Sequence, residues 1–405
     1  MKPTILIIGL VWPEPTSSAA GWRMLQLIAQ LKQFGGSVHF ACAASRSESS
    51  FPLSDIGVTE HFIVLNDAGF NDFIAGLKPD VVVYDRFMTE EQFSWRVRES
   101  CPDVVSVLDT EDLHFVRRAR TEAFKNSLRP DFDTADSRRE LSAVYRCDLS
   151  LVISEYEYKL LVDYFKVPEK QLLYLPFIEE TITGDYLASL PAFEQRKHFM
   201  FIGNFIHEPN YQTVLQLKRI WPHVKKQLPD AEMHIYGAYA SQKVLQLQNL
   251  KQGFIVKGKA VDVNETMRRY RVLAAPVPFG AGLKGKFIDG YRNGLPNVTT
   301  AVGREGMEAF DWGGLIADDD RTFVASLVIL YNDRELWKQS VVNGKELVNG
   351  LFSAAQWNGV LKDVLYGILK NPGAHREHLF VQKILWQNGQ LAMKYMSLWI
   401  EEKNK

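Results

Sequence analysis

Residues Ala274–Met307 read AAPVPFGAGLKGKFIDGYRNGLPNVTTAVGREGM, and this stretch decides the fold. An apolar strand ends near Val277, and a loop with three glycines and two lysines follows it, Gly280–Lys286. We call this segment the glycine-rich loop. Glycine lets backbone N–H groups come close to an anion, and lysine ammonium groups neutralise phosphate charge. The order strand, glycine-rich loop, helix and strand therefore favours a nucleotide diphosphate as ligand.

The N-terminal half of the chain alternates apolar strands with amphipathic helices, which predicts a parallel sheet covered by helices on both faces. A second series begins after a linker near Pro176–Gln195, so we predict an α/β chain of two Rossmann-like domains that face each other. The predicted strands are Ile5–Gly9, Val38–Ala43, His61–Val64, Val81–Tyr84, Val104–Leu108, Leu149–Ile153, Phe199–Ile202, Met233–Tyr236, Phe254–Lys257, Val272–Ala275 and Val298–Thr300. Predicted helices include Arg23–Phe34, Tyr211–Leu228 and Gln242–Gln248.

The glycine-rich loop and its flanks resemble the donor-binding segment of the glycosyl transferases group 1 family (family 4, retaining), whose members have the GT-B fold. The matching residues are Lys286, Asp289, Gly294, Pro296, Thr299, Thr300, Gly303, Glu305 and Gly306. Segments 108–114 and 151–157 in the first half, and 201–210 in the second, also have counterparts in the family. The resemblance covers most of the chain and is weakest over residues 45–75 and at the C-terminal tail.

The resemblance implies a glycosyltransferase, of hexosyltransferase type, that moves a sugar from a nucleotide diphosphate-sugar to a hydroxyl acceptor. It implies retention of configuration, no bound metal and no cofactor besides the UDP- or GDP-sugar substrate. Bacterial polysaccharide or glycoconjugate synthesis, with a saccharide or lipid-linked saccharide acceptor, is the expected setting. The donor-binding residues that it indicates are Gly203, Asn204, His207, Gly280, Gly282, Leu283, Asp289, Thr300 and Glu305.

The chain departs from better-known members of the family in two places. Many members carry a Glu-x₇-Glu pair, whose first Glu contacts the donor sugar and whose second contacts ribose. Asp289 takes the second position, but the first is Ala281. Many members also place an Arg and a Lys after the glycine equivalent to Gly203, and this chain has neither. Lys286 and Lys284 are therefore the candidate catalytic cations for a departing diphosphate.

A polar cluster follows a predicted strand of the first half, where α/β sheets place ligand sites. Asp109 and His114 are the candidate catalytic residues, with Glu111 and Asp112 between them. Asp109 or Thr110 capping a helix through Phe115–Phe124 explains the same pattern, and the sequence favours neither explanation. Three arginines on that helix favour a solvated face paired with local acids over contact with a ligand: Arg117, Arg118 and Arg120.

Two further positions complete the predicted cleft. Gly21 and Arg23 lie where a helix N-terminus of the first domain can meet an anion. Asp131 and Asp133 form an Asp-x-Asp motif, but no apolar strand leads into it, so we predict a surface position and no metal site.

The predicted domain bounds are 1–178 for the first, acceptor-binding domain and 196–370 for the second, donor-binding domain. The tail carries apolar residues at helical spacing, and we expect residues 385–405 to return to the first domain. A helix on a membrane surface is the rival interpretation. The tail mixes acidic with basic residues, whereas surface binding needs excess positive charge, so we expect at most weak peripheral membrane contact.

Composition excludes several other classes. The net charge of −1 in 405 residues provides no field that attracts nucleic acid. No apolar run reaches the roughly 18 residues of a membrane span. The three cysteines are isolated, which fits a reducing, cytoplasmic compartment. Two functions compete with glycosyl transfer: a nucleotide-sugar epimerase on the same fold, and a non-catalytic nucleotide-sugar binding protein.

Overall fold

The structure, a computed structural model, describes residues 2–388 and 390–404. Met1, Gly389 and Lys405 fall within the predicted ranges 1–178 and 385–405 and lie outside the described residues. No helix in the described ranges is both long enough and apolar enough to cross a membrane.

Each half of the chain forms a parallel β-sheet. The strands of the first sheet are β1 (Ile5–Gly9), β2 (Val38–Cys42), β3 (Thr59–Phe62), β4 (Val81–Asp85), β5 (Val105–Asp109), β6 (Leu149–Val152) and β7 (Leu172–Tyr174), in the order β3-β2-β1-β4-β5-β6-β7. The strands of the second sheet are β8 (Lys197–Ile202), β9 (Met233–Tyr236), β10 (Phe254–Gly258), β11 (Tyr270–Ala275), β12 (Asn297–Thr299) and β13 (Gly314–Ile316), in the order β10-β9-β8-β11-β12-β13. This arrangement confirms the predicted α/β class with two parallel sheets.

Helices cover both sheets. Those between residues 19 and 188 are α1 (Ala19–Lys32), α2 (Gly69–Leu77), α3 (Arg86–Ser100), α4 (His114–Asn126), α5 (Ala135–Arg146), α6 (Glu155–Lys159) and α7 (Gly184–Ala188). Those between 208 and 351 are α8 (Glu208–Gln227), α9 (Gln242–Leu245), α10 (Val263–Met267), α11 (Gly285–Arg292), α12 (Ala301–Arg304), α13 (Asp320–Asn332) and α14 (Arg334–Leu351). The last are α15 (Ala354–Trp357), α16 (Val360–Lys370), α17 (Pro372–Arg376), α18 (Phe380–Asn388) and α19 (Leu391–Asn404). Short 3₁₀ turns (Leu53–Ile56, Glu169–Gln171, Phe193–Gln195, Leu250–Gln252) and one π turn (Leu160–Tyr164) fill the connections.

Continuous apolar runs explain the central strands. Every residue of β1 and of β4 is buried. A strand that is buried on both faces is typical of a parallel sheet packed between two helical layers. Sequence reasoning missed β7 and β13, because both are three-residue edge strands, too short to show a hydrophobic period.

The chain returns to the first domain earlier than expected. Leu361, Leu365 and Ile368 of α16 are buried in the core of the first domain, together with residues of α1. The predicted second domain, 196–370, is therefore too long at its C-terminal end, and the returning segment begins before residue 385. An amphipathic helix shows which of its faces is buried but not which domain buries it.

Two segments cross between the domains side by side. The N–H of Glu179 donates to the carbonyl of Phe352 at 2.7 Å, and the N–H of Ala354 donates to the carbonyl of Glu179 at 2.8 Å. The Glu179 carboxylate also accepts from Gln26 of α1 at 3.0 Å and pairs with Arg292 of α11. Glu179 therefore connects the two crossing segments to each other and to one helix of each domain, α1 and α11.

Candidate functional site

The glycine-rich loop leaves the carboxyl end of β11 and leads into α11, at the edge of the second sheet that faces the first domain. Gly282 has a left-handed backbone (φ +59°), and a Cβ there would lie 2.9 Å from the Cβ of Asp112 in the first domain. Glycine is therefore needed at position 282, both for its backbone angle and for the close approach of the two domains.

The two lysines of the loop have different surroundings. Lys286 Nζ donates to Asn210 Oδ1 at 2.7 Å and lies 4.5 Å above the ring of Phe201. Burial, together with the charge of Lys284, lowers the pKa of Lys286 to about 7. Lys284 Nζ donates to the carbonyl of Gly282 at 3.0 Å and lies 3.9 Å from Glu305. Lys286 thus points to the start of α8, whereas Lys284 is held by the loop itself.

Asp289 lies on α11, one turn beyond the lysines. Burial, together with the charge of Glu179, raises its pKa to about 7. Within the described part of the chain, its carboxylate accepts no hydrogen bond from a protein donor. It is therefore available to hydroxyl groups of a ligand.

Thr300 and Glu305 flank the short helix α12. Thr300 Oγ1 donates to the carbonyl of Val277 at 2.6 Å and accepts from the N–H of Gly303, so it ties β12 to the strand end before the loop. Glu305 binds Arg120 of the first domain through both carboxylate oxygens, at 2.7 and 2.8 Å. Thr300 thus stabilises the contact between β12 and the end of β11. Glu305 belongs to the interface between the domains.

The end of β8 lies opposite the glycine-rich loop, across Lys286. A Cβ at Gly203 would lie 2.6 Å from the Asn210 side chain, which itself donates to the carbonyl of Asn204 at 2.8 Å. Asn204 Nδ2 reaches the carbonyl of Ser17 in the first domain at 3.3 Å. His207 is exposed, and partial desolvation and Arg117 of the first domain lower its pKa. Gly203, Asn204 and His207 therefore line the boundary between the domains.

The first domain brings a charged cluster to the same boundary, at the ends of β4 and β5. Arg86 lies 3.5 Å from Glu111, and both residues have left-handed backbones (φ +71° and +61°). Arg117 pairs with Asp112 at 2.5 Å, and Asp112 lies 3.4 Å from His114. Non-glycine residues with this backbone concentrate at functional sites, where the surrounding structure compensates for the strain.

His114 is neutral at physiological pH. Burial, together with the charge of Arg117, lowers its pKa to about 3. The helix that it begins is not capped by Asp109 or Thr110, because the carboxylate of Glu140 accepts the N–H groups of His114 and Phe115. The capping explanation of the polar cluster is therefore wrong. Asp112 and His114 belong instead to the charged cluster at the ends of β4 and β5.

Asp109, Arg23 and Gly21 serve the interior of the first domain. Arg23 donates to Asp109 at 2.9 Å and to the carbonyl of Leu175 at 2.8 Å, and both partners of the ion pair are buried. The N–H of Gly21 donates to Ser18 Oγ, and a Cβ at Gly21 would lie 2.4 Å from Glu14. The predicted anion site at Gly21 and Arg23 is thus filled by the protein's own groups, and the carboxylate of Asp109 is buried and neutralised by Arg23.

Two carboxylates and a histidine of the charged cluster lie close enough together to be considered as ligands of a metal ion. Ligand atoms of Glu111, Asp112 and His114 lie within 4.8 Å of one another. Arg86 and Arg117 already neutralise the two carboxylates, which makes the cluster a poor fit for a cation. Asp131 and Asp133 are exposed, as predicted, and Asp133 pairs with Arg138.

Two residues that sequence reasoning missed join the first domain to the glycine-rich loop. Arg120 donates to the carbonyl of Gly280 at 2.6 Å besides binding Glu305, so the expectation of a solvated face is wrong for Arg120. Arg118 is exposed and pairs with Asp136, as expected. Glu157 accepts the N–H of Gly282 at 2.9 Å. The resemblance over residues 151–157 was the available signal for Glu157.

Comparison with known proteins agrees with this architecture. Residues 196–333 match the family model described as glycosyl transferases group 1. Sucrose-phosphate synthase from Thermosynechococcus elongatus has a similar structure, with a TM-score of 0.66 and 14% identity over 91% of this chain and 100% of that chain. WaaG, a glycosyltransferase involved in lipopolysaccharide biosynthesis, is similar with a TM-score of 0.62 and 12% identity over 90% of this chain and 100% of that chain.

A curated relative comes from Klebsiella pneumoniae, where it is described as an uncharacterized 44.6 kDa protein in the cps region. It is 28% identical over 182 residues, and the match spans 42% of this chain and 45% of the relative. The family match falls on the second domain, and the structural matches, which cover 91% and 90% of this chain, show the predicted GT-B fold across both domains.

Proposed function

We propose that this chain, a GT-B protein of the group 1 glycosyltransferase type, transfers a sugar from a UDP- or GDP-sugar to a hydroxyl of a saccharide or lipid-linked saccharide. The observation that carries the proposal is the pair Lys284 and Lys286, at the edge of the second sheet beside the domain boundary. No further cofactor is required by this reaction.

Lys286 supports the donor assignment by its position. Its ammonium group lies against Phe201 and Asn210, at the end of β8 and the start of α8. The resemblance expects cations after Gly203, which is the same end of the same strand. One cation carried by the glycine-rich loop would therefore supply charge that the β8 end lacks.

The start of α11 adds a second contribution. The helix begins at Gly285, and Lys284 at its N-cap makes no capping hydrogen bond through its side chain. The first N–H groups of a helix point at any anion placed before it, and the helix dipole favours negative charge there. A diphosphate at this point would meet both lysines and free N–H groups, which stabilise it as it leaves the sugar.

The cluster at the ends of β4 and β5 is the proposed acceptor side. Carboxylates and arginines that bind each other loosely can exchange partners with sugar hydroxyls, and the Arg86–Glu111 separation of 3.5 Å is loose. His114, being neutral, can donate or accept one hydrogen bond there. Transfer without a metal is part of the proposal, because lysines rather than a metal ion would neutralise the diphosphate. Retention of configuration is part of it through the family resemblance.

Product analysis tests the function. The protein is incubated with UDP-glucose, UDP-N-acetylglucosamine and GDP-mannose, each with and without a mixture of saccharide acceptors, and the products are identified by mass spectrometry and NMR. We expect a new glycoside that depends on the acceptor and keeps the anomeric configuration. An epimer formed without acceptor, or nucleotide-sugar binding without any product, would replace the proposal with one of the two rival functions.

A further inference from the structure

Glu157 meets the glycine-rich loop from the other domain. Its Oε1 accepts the N–H groups of Gly282 at 2.9 Å and of Leu113 at 3.0 Å. The residue is fully buried, and Oε2 has no hydrogen-bond partner in the part of the chain that the structure describes. A buried polar atom without a partner is unfavourable. A ligand hydroxyl would remove this cost by bonding Oε2.

The electrostatic setting of Glu157 suits a hydroxyl partner. Burial, together with the charge of Asp112, raises its pKa to about 8, although Lys284 acts in the opposite direction. A carboxylic acid is therefore the main form at neutral pH. Its O–H can donate one hydrogen bond, and its oxygens can accept others. Sugar hydroxyls also do both.

The point at which Glu157 contacts the glycine-rich loop, Gly282, indicates which part of the ligand it would meet. A nucleotide sugar is linear, in the order ribose, diphosphate, sugar. Under the proposed function Asp289 meets the ribose, and Lys286 and Lys284 meet the diphosphate. Beyond Leu283 in the same direction along the chain are Gly282 and Ala281, where the sugar would lie.

The loop itself provides no polar side chain at that point. Gly282 has none, and Ala281 packs against the apolar cluster of the first domain. The resemblance expects a carboxylate at position 281. The carboxyl of Glu157 lies one residue away, bonded to the adjacent N–H group.

We propose that Glu157 recognises a hydroxyl of the donor sugar, as a carboxyl group that the first domain provides to the loop of the second. The inference rests on the proposed function, because it takes the ligand to be a nucleotide sugar. It also means that sugar recognition requires the two domains to be together, whereas recognition of the nucleotide requires only the second.

Calorimetric titration separates sugar from nucleotide recognition. The full-length protein is titrated with UDP, UDP-glucose, UDP-N-acetylglucosamine, GDP and GDP-mannose. For Glu157→Ala we expect about a tenfold loss of affinity for the preferred nucleotide sugar, as for one lost hydrogen bond, with unchanged affinity for the free nucleotide. Glu157→Gln keeps the acceptor for both N–H groups and offers an N–H donor, so both affinities should be kept. Glu157→Met, of similar length but apolar, replaces the alanine variant if that does not fold.

Arg118→Ala is the matched control, because this first-domain side chain is exposed and pairs with Asp136 instead of contacting the loop. It should leave the affinities for nucleotide and nucleotide sugar unchanged. An equal loss for both ligands in Glu157→Ala and Glu157→Met would show that Glu157 only holds the loop, and would overturn the inference while leaving the proposed function intact. Wild-type protein that binds none of the five ligands would overturn both.

Discussion

Arg120 and Glu305 form a two-point ion pair from opposite domains, at 2.7 and 2.8 Å, and Arg120 also binds the carbonyl of Gly280 at 2.6 Å. Both side chains are mostly buried, with 12% and 14% of their surface exposed. A bidentate pair with little solvent is among the stronger ionic contacts. Arg120 therefore links the start of the glycine-rich loop to the segment after α12, and links both to the first domain.

Arg120→Ala should loosen the pair of domains. We expect a larger radius of gyration in X-ray scattering of the ligand-free protein, and a cost of about 1.5–3 kcal/mol in closure, the range for a hydrogen bond to a charged group. Turnover should fall more than nucleotide affinity. Arg118→Ala, on the same helix but exposed and paired with Asp136, serves as the control and should change neither. Identical scattering of the Arg120 variant and wild type would show that other contacts hold the domains.

Lys286→Ala should lower turnover on the order of 10²-fold, as for the loss of one preorganised charge partner. Lys284→Ala should lower turnover less, because Glu305 and the Gly282 carbonyl already bind that ammonium group.

Proton uptake provides a second test of Lys286. Since its pKa is about 7, a bound diphosphate should raise that pKa, and wild type should take up a proton on binding UDP at pH 8.

Calorimetry of UDP binding in buffers of different ionisation enthalpy measures that uptake. It should disappear in Lys286→Ala and persist in the control Lys257→Ala, an exposed lysine of the second domain. Near-normal turnover in both single variants and in the double variant would mean that the phosphates bind elsewhere, with Arg304 the next residue to test.

Asp289 should give nucleotide binding a pH dependence. Its pKa of about 7 means that the carboxylate, the better acceptor for a ribose diol, gains population as the pH rises through 7. The UDP affinity of wild type relative to Asp289→Asn should therefore increase from pH 6 to 8, a comparison that cancels the loss of the Lys286 proton, which both proteins share. Asp289→Ala should weaken binding by about 1.5–3 kcal/mol. Equal affinity of wild type for UDP and 2′,3′-dideoxy-UDP would exclude the ribose contact.

The fold could be predicted from the sequence because its signals are local. Buried runs such as Ile5–Gly9 and Val81–Asp85 determine the strands, and the glycine-rich loop fixes the edge of the second sheet where a ligand can bind. The lysines and Asp289 could be proposed as site residues for the same reason, since they lie within one short segment.

The contacts between the domains could not be predicted in this way. Glu157 and Gly282 are 125 positions apart, and Arg120 and Glu305 are 185 apart. A single sequence shows which side chains are charged but not which distant partner each one meets. Asp109 illustrates the opposite error: it follows a strand, as a site residue would, but Arg23 neutralises it within the core.

The tail packs on the first domain, as expected for residues 385–405. Arg96 of α3 pairs there with Glu401 at 3.0 Å, and Arg376 pairs with Asp148 at 2.7 Å. Segments 352–359 and 176–183, rather than the last helix, run between the domains. Removal of the final helix should therefore destabilise the first domain instead of loosening the cleft.

Activity should survive chelation. Glu111, Asp112 and His114 are close enough to share a metal ion. The two carboxylates, however, are already paired with Arg86 and Arg117. Turnover measured after dialysis against EDTA should equal that of untreated enzyme, and added Mn²⁺ or Mg²⁺ should not raise it. Activity that is lost in EDTA and restored by either ion would assign this cluster to a metal and replace the proposed mechanism.

Glu157 should also make stability depend on pH in a defined direction. Its pKa is about 8 in the folded protein, against an ordinary value of 4.5, so the folded state holds a proton that the unfolded state releases between these values. The contribution of Glu157 to the free energy of unfolding is thus fully present below about pH 4.5 and is lost as the pH rises towards 8. Glu157→Gln keeps the neutral form at every pH, so its melting temperature relative to wild type should increase from pH 5 to 8. Asp112 and Lys284 face the same carboxyl, and both are unchanged in the variant, which makes the difference between the two proteins specific to Glu157. A difference in melting temperature that stays constant across this range would mean that Glu157 is ionised in the fold and cannot donate a hydrogen bond from Oε2.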